Sequence, residues 1–478
     1  MKTGIRFFSY PAFLWILFSL SVHAQISEKG TPLGSILSLN DDALPIENMP
    51  DFDVQALIIE DLQNEGKAEV PYRYAYRFDV TIAVRDVGKE EIIADGTRIW
   101  RLAIESAGAY SLHFVFSTYI LPEGATLFLY NTDKTVTLGA FTSSNNKPSR
   151  VLATAEIPGD RVIIEYSEPS NPEFDGELFV GKVFHAYRNI FKDGSYGTSG
   201  SCNVDINCPE GNDWQAEKHA VCRISMGSGL CSGALINNTA NDGTPYFLTA
   251  RHCVGSSDFN DWVFYFNYES PSCNGPDGSV SQTIDGCALK AMADDLDFCL
   301  VEMSSAPLSS YQPYFAGWNN SPEAASSTAC IHHPSGDVKK ISKDNDPPTT
   351  GTYGSGEYGT SAHWHIHEWD MGTTEGGSSG SPLFDENHRI IGNLTGGTAS
   401  CTSNYNDYYA KFNISWDHYT DASDQLKHWL DPQNSGVTAL DAYDPYGVTL
   451  TCDSIYNFTG TPTFYTVIQG GYLSGNNG

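Results

Sequence analysis

The 478-residue sequence predicts an all-β protein in two main parts. A β-sandwich-like domain is expected over 25–196, followed over 197–445 by a pair of packed antiparallel barrels that ends on one helix. Three observations carry this. Charged residues are only 18% of the chain, while Gly (44), Tyr (26) and Phe (24) are plentiful, a mix that suits strands and turns. Short apolar runs recur between Gly, Pro, Asn and Asp clusters. All 11 cysteines lie from Cys202 onward, so the N-terminal part folds without disulfides and the rest is stapled.

Taken in order, residues 1–24 read as a secretion signal. Lys2 and Arg6 precede an apolar core over Phe13–Val22, and Val22-His23-Ala24 is a small-residue cleavage site. No later stretch is long enough to cross a bilayer, so an exported, soluble protein without a membrane span is expected. In 25–196, Ser111–Phe116, Ala125–Tyr130 and Arg161–Tyr166 read as strands. This domain holds no clustered nucleophile, metal set or phosphate loop. It reads as a pro-region that assists folding and blocks a site, with a permanent accessory domain, such as a carbohydrate binder, as the alternative. From Gly197, short strands continue to Trp416. Ser423–Leu430 then reads as a helix, with Ser423 as cap, Leu426, Trp429 and Leu430 on one face, and Asp431-Pro432 as its stop. Residues 446–478 read as a linker or the start of an incomplete C-terminal domain. A formal net charge of -31 argues against a nucleic-acid partner, since phosphate would be repelled.

Gly376-Gly377-Ser378-Ser379-Gly380-Ser381-Pro382 stands out for its chemistry. A reactive serine needs a tight turn, little bulk beside it, and backbone N–H groups aimed at the substrate carbonyl. Glycine-serine runs are usually plain loops. Two other segments change the reading: Phe247–Cys253, an apolar strand ending at His252, and Asp295–Val301, in which Asp297 leads into an apolar strand. Each alone is more often structural. His252, Asp297 and Ser379 together follow the chain order of the chymotrypsin class. In that reading Ser379 attacks, His252 carries the proton, Asp297 orients His252, and the N–H groups of Gly377 and Ser379 bind the oxyanion. Asp294 and Asp295 are rivals for the third role. Asp297 is preferred because the apolar strand begins directly after it.

The segment from about 197 to 445 resembles the lysyl endopeptidases of the trypsin-like serine protease family. The matching stretches are Gly200–Asp205, Leu235–Asp242, Phe247–Cys253, Ile331–Pro334, Thr374–Pro382 and Trp429–Pro432. Ala109–Phe114 and Leu121–Ala125 resemble the family's pro-region more loosely. The resemblance implies a chymotrypsin-like double antiparallel β-barrel and a secreted, zymogen-derived serine endopeptidase that cuts after Lys, with Arg as a second option. Its partners would be protein or peptide substrates with a basic residue before the scissile bond. A monomer with no cofactor and no metal is expected. The family's specificity aspartate maps onto Asp407, with Glu375 as the second candidate, because Thr373 stands where trypsin keeps its own aspartate. Thr395 replaces the family's histidine beside the pocket, and Tyr353 stands for its stacked tryptophan. Ser378 replaces the aspartate that pairs with a new N-terminus in trypsin-like zymogens, so activation is expected without that ion pair. Family processing implies a mature start near Gly197, reached by self-cleavage after Lys192 and trimming. The implied disulfides are Cys202–Cys401, Cys208–Cys273 and Cys231–Cys253. That leaves Cys222, Cys287, Cys299, Cys330 and Cys452.

His363, His365 and His367 alternate, so on one strand they share a face within reach of one zinc ion. With no carboxylate or cysteine clearly placed beside them, a surface strand is the expectation. The rival to the enzyme reading is a catalytically inactive, protease-like surface binding or adhesion protein.

Overall fold

The computed structural model describes residues 30–64, 71–190, 199–354, 358–447, 465–468 and 472–475. The signal segment, Lys192, Gly197, Cys452 and most of the tail lie outside the described residues.

The N-terminal part packs a six-stranded sheet on a five-stranded one. The first runs Ile46–Asn48, Arg98–Glu105, Arg161–Glu168, Thr126–Asn131, Thr137–Phe141, with Lys89–Ile92 beside Arg98–Glu105. The second runs Ile157–Pro158, Ser111–Ile120, Glu177–Ala186, Ala75–Ala83, with Leu152–Ala153 beside Ser111–Ile120. Trp100, Leu102, Ile104, Leu127, Leu129 and Ile164 from one sheet meet Leu112, Phe114, Phe116, Leu178 and Val180 from the other in a single core. That is the sandwich the alternating patterns predict.

Ser111–Phe116 is buried on both faces. Leu112, Phe114 and Phe116 face the sandwich core, while Val115 joins Phe184, Val263, Tyr265 and Val338 in a second cluster shared with the C-terminal part. The outer face of this sheet is therefore a packing surface, on which the polar Ser111 and His113 are buried as well.

The C-terminal part is built on two antiparallel sheets, matching the expected chymotrypsin-like double β-barrel. One places Gly229–Leu235 between Val221–Ser225 and Tyr246–Thr249, followed by Phe298–Met303 and Cys287–Ala293. The other runs Lys340–Asp344, Thr328–His332, Pro382–Phe384, Ile390–Gly397, Tyr405–Lys411, His363–Glu368. Their inner faces share one core, with Phe247, Leu300 and Phe264 from the first and Ile331, Ile341 and Phe384 from the second.

Polar groups also tie the sandwich to the barrels. Glu156 and Arg223, both fully buried, lie 3.2 Å apart. The hydroxyls of Tyr74 and Tyr265 donate to the same carboxylate. Lys147–Asp285 at 2.5 Å and Lys182–Asp261 at 2.6 Å add two further pairs. The described residues through Tyr443 form one unit, and those from Asp444 onward a second. Within the latter, Tyr465–Ile468 pairs antiparallel with Tyr472–Gly475.

The terminal helix is shorter than the sequence pattern suggests. Gln425 is extended (φ -145°, ψ 149°), which splits the run into a 3-10 turn at Ala422–Asp424 and one α-turn at Lys427–Leu430. Ser423 therefore lies inside the first turn and caps nothing. Leu426 and Leu430 are buried, while the half-buried Trp429 donates its indole N–H to the Ala422 carbonyl at 2.8 Å. An unanticipated helix at Phe412–Asp417 packs Phe412 and Trp416 on Trp318. The strand His363–Glu368 is not simply superficial either: His363 is fully buried.

Candidate active site

His252 follows the Tyr246–Thr249 strand, and the Cys231–Cys253 disulfide pins its loop to the adjacent Gly229–Leu235 strand. Its Nδ1 lies 2.9 and 3.1 Å from the two oxygens of Asp297. Its backbone N–H donates to the same carboxylate at 2.9 Å. Asp297 is fully buried and takes a left-handed backbone (φ 48°), an uncommon conformation for a residue other than glycine. The Asn393 amide holds its carbonyl at 2.9 Å. Asp297 accepts from Nδ1–H in the tautomer that leaves Nε2 as the acceptor nitrogen. Nε2 is buried and has no hydrogen-bond partner. Thus no Ser379–His252 hydrogen bond is formed without substrate; such bonds are often long in empty sites and tighten on binding. The rivals are occupied elsewhere: Asp294 pairs with Arg251 at 2.5 Å and Asp295 accepts from Tyr419 at 2.5 Å.

The glycine-serine loop sorts its serines. Ser378 is buried, its hydroxyl 2.7 Å from His332 Nδ1, and His332 reaches Ser342 at 3.2 Å. Burial holds His332 down at about 3, so that chain is neutral. Ser381 is buried against Cys330 at 3.2 Å. Ser379 alone of the three is half-exposed. Its carbonyl accepts from Ser232 N–H at 2.8 Å, which anchors the loop to the first barrel.

Gly377 and Gly380 have positive φ (93° and 79°), and a Cβ at Gly380 would lie 2.1 Å from Thr249 Oγ1. Larger residues are thus excluded on steric grounds. Ser335 N–H holds the Gly376 carbonyl at 2.5 Å, and Ser381 N–H holds that of Ser378 at 3.0 Å. Each trans peptide therefore turns its N–H, that of Gly377 and of Ser379, to the opposite side.

Asp407 is fully buried behind this loop. Its Oδ2 accepts from Trp369 Nε1 and Thr374 Oγ1, both at 2.7 Å, while Oδ1 has no hydrogen-bond partner. Burial raises the Asp407 carboxyl to about 6, against the opposing pull of Trp369, Thr374 and the nearby Ala399 backbone. A Cβ at Gly397 would sit 2.2 Å from Oδ1 and 2.2 Å from the Asn406 carbonyl, so only glycine fits beside that oxygen.

The other sequence candidates lie elsewhere. Glu375 accepts from Gly200 N–H and Asn203 Nδ2, both at 2.8 Å, and from Ser335 Oγ at 2.8 Å. It fastens the segment after residue 199 to the loop. Thr395 sits at a bulge with its hydroxyl buried and unpartnered. Tyr353 packs near Tyr358, His363 and Tyr408. His363 is held down at about 4 by burial, His365 stacks on Tyr408 at 4.5 Å, and His367 meets Tyr405 edge-on. Among the described residues these imidazoles form no common ligand set.

The structure forms Cys202–Cys401, Cys208–Cys273 and Cys231–Cys253. Cys222, Cys287, Cys299 and Cys330 are thiols, and burial pushes the Cys299 thiol up to about 12. Sequence reasoning missed Trp369, Thr374 and Asn393. Asn393 left one trace, a polar residue inside the apolar run Ile390–Leu394.

This fold and arrangement define a serine endopeptidase. Residues 196–410 match the family model "Lysyl endopeptidase, C-terminal domain". A lysyl endopeptidase of Pseudomonas aeruginosa is 28% identical over 352 residues, covering 66% of this chain and 73% of the relative. The chain is thus similar to lysyl endopeptidases over these stretches. Among solved structures, the inactive form of Rv3671c from Mycobacterium tuberculosis H37Rv is 14% identical, covering 45% of this chain and 90% of its own, at TM-score 0.30. A thermostable serine protease, AL20, from an extremophilic microorganism is 16% identical, covering 41% and 92%, also at TM-score 0.30.

Proposed function

We propose that the protein is a secreted endopeptidase that cleaves on the carboxyl side of Lys through an acyl-enzyme on Ser379. His252 Nε2 takes the Ser379 proton as the oxygen attacks the carbonyl carbon. Asp297 fixes the tautomer and stabilises the imidazolium. The N–H groups of Gly377 and Ser379 receive the oxyanion. The imidazolium then protonates the leaving amine, and a water deprotonated by His252 releases the acyl group.

The observation that carries the Lys assignment is the buried, unpartnered Oδ1 of Asp407 beside Gly397. With Oδ2 already engaged twice, one oxygen remains. A single ammonium suits that better than a guanidinium fork, which seeks two acceptors. Lys is therefore the preferred residue and Arg the weaker substrate.

The N-terminal region over 25–196 acts as a pro-region. Its buried Glu156–Arg223 contact with the barrels supports an assisting role in folding, and 197–445 is the protease domain. The active form is a monomer that leaves the cell after removal of residues 1–24. The test is hydrolysis of Lys-, Arg- and Leu-amide reporters with and without a serine-directed organophosphate. Lys cleavage blocked by the reagent and absent in Ser379→Ala is expected. Equal cleavage by Ser379→Ala would remove the proposal.

A further inference from the structure

The charge buried under the sandwich is held from the barrel side. Arg223 lies on the Val221–Ser225 strand and is fully buried. Its guanidinium stands over the rings of Tyr265 at 4.2 Å and Tyr268 at 4.6 Å. Its Nη1 donates to the Gly336 carbonyl at 3.2 Å. These partners all belong to the C-terminal part, so the guanidinium keeps its place when the sandwich leaves. From the sandwich comes Glu156, which accepts from Nη2 at 3.2 Å.

The fork is only half used. Arg223 Nε is buried and has no hydrogen-bond partner. Nε and Nη2 form one edge of the guanidinium, an edge that matches the two oxygens of a carboxylate. Glu156 meets it with Oε2 alone, because the Tyr74 hydroxyl holds Oε1 at 2.8 Å. Tyr265 also donates to Oε2, and Ser225 Oγ lies 3.1 Å from the Tyr74 hydroxyl. Removal of 25–196 takes away Glu156 and Tyr74. Arg223, Tyr265 and Ser225 remain beside the space that the carboxylate leaves. Their donors are already fixed, so a new carboxylate binds them at little ordering cost. The surroundings set its neighbours: Val263 and Val338 share one apolar cluster with Ala153 and Ala155, the small residues near Glu156.

We propose that the mature barrels carry a carboxylate-binding site for protein substrates, outside the catalytic triad and the specificity pocket, in which Arg223, Tyr265 and Ser225 accept a Glu side chain with small apolar neighbours. This rests on the reading of 25–196 as a removable pro-region of a serine endopeptidase.

The test measures anisotropy of fluorescent peptides on two proteins: the self-processed wild type, blocked by a serine-directed organophosphate, and the full Ser379→Ala chain, which keeps its sandwich. The peptides are residues 151–158, the same peptide with Glu156→Gln, and an unrelated serine-rich peptide holding Ala-Glu-Ala. The processed enzyme is expected to bind both Glu peptides about tenfold more tightly than the Gln version, and the full chain to show no such difference. Tyr265→Phe keeps the ring and removes the hydroxyl; it should narrow the Glu-over-Gln difference and leave Lys-amide cleavage unchanged. Equal binding of the Glu and Gln peptides, or binding confined to the chain's own sequence, would overturn the proposal. So would mass spectrometry showing 25–196 retained on the processed enzyme. A failure of the enzyme reading is told apart by its own sign, a wild-type protein that neither cleaves Lys-amide reporters nor takes up the organophosphate.

Discussion

Replacing Asp407 by Asn probes the proposed specificity site with little change of shape. In the wild type one carboxylate oxygen is buried and unpartnered, while Trp369 and Thr374 hold the other. A Lys ammonium docked there loses its water and gains one charge-assisted contact. Removing one partner of a buried pair costs about 3–5 kcal/mol. At about 1.4 kcal/mol per tenfold, the lower end corresponds to roughly a hundredfold loss and the upper end to more than a thousandfold. We therefore expect kcat/KM for a Lys-amide reporter to fall about 10²–10³-fold, while a Leu-amide reporter changes less than about threefold because it makes no charged contact. The acid limb gives a second reading. In the empty pocket the Asp407 carboxyl sits at about 6, so it is charged above that pH and neutral below. The ratio of Lys to Leu cleavage should drop as pH falls through this range in the wild type and stay flat in Asp407→Asn. Taking the ratio cancels the titration of shared catalytic groups. Unchanged Lys cleavage, or equal losses on both reporters, would refute the reasoning.

Two further outcomes follow from groups buried between sandwich and barrels. Glu156→Gln leaves the fully buried Arg223 without its counter-ion and should lower full-chain stability by about 3–5 kcal/mol, whereas Glu156→Leu/Arg223→Met should lose much less; denaturant midpoints compare them. His113 is stacked between Tyr74 and Phe184, and burial lowers it to about 4 from the ordinary 6.5. The unfolded chain therefore binds the proton first, so stability is full above pH 6.5 and falls toward pH 4, by on the order of 3 kcal/mol. His113→Phe should flatten that part of the urea-midpoint profile, and an unaltered slope would contradict the assignment.

The parts legible in the sequence were those with a local cause. Positive-φ glycines around Ser379 announce a tight loop, and the apolar strand after Asp297 announces its burial. What escaped was set by tertiary context. The strand over Ser111–Phe116 packs on both faces, so period-two reasoning saw only half its role. The run Ser423–Leu430 has helical spacing, yet an extended Gln425 breaks it. Glu375 and Asp407 look alike as carboxylates. Only the fold separates one that fastens Gly200 and Asn203 from one with a buried, unpartnered oxygen. Trp369 carried no signal at all, since its indole matters only because Asp407 lies across the strand pair.

The central claim is that one alcohol, that of Ser379, is made nucleophilic by His252 held on Asp297. Treating the active protein with a serine-directed organophosphate and mapping the adduct by mass spectrometry tests it most directly. The account predicts a single adduct on Ser379, formed in step with loss of Lys-amide cleavage and nearly abolished in His252→Ala. Activity lost with the adduct on another residue, or labelling of Ser379 undiminished in His252→Ala, would contradict it.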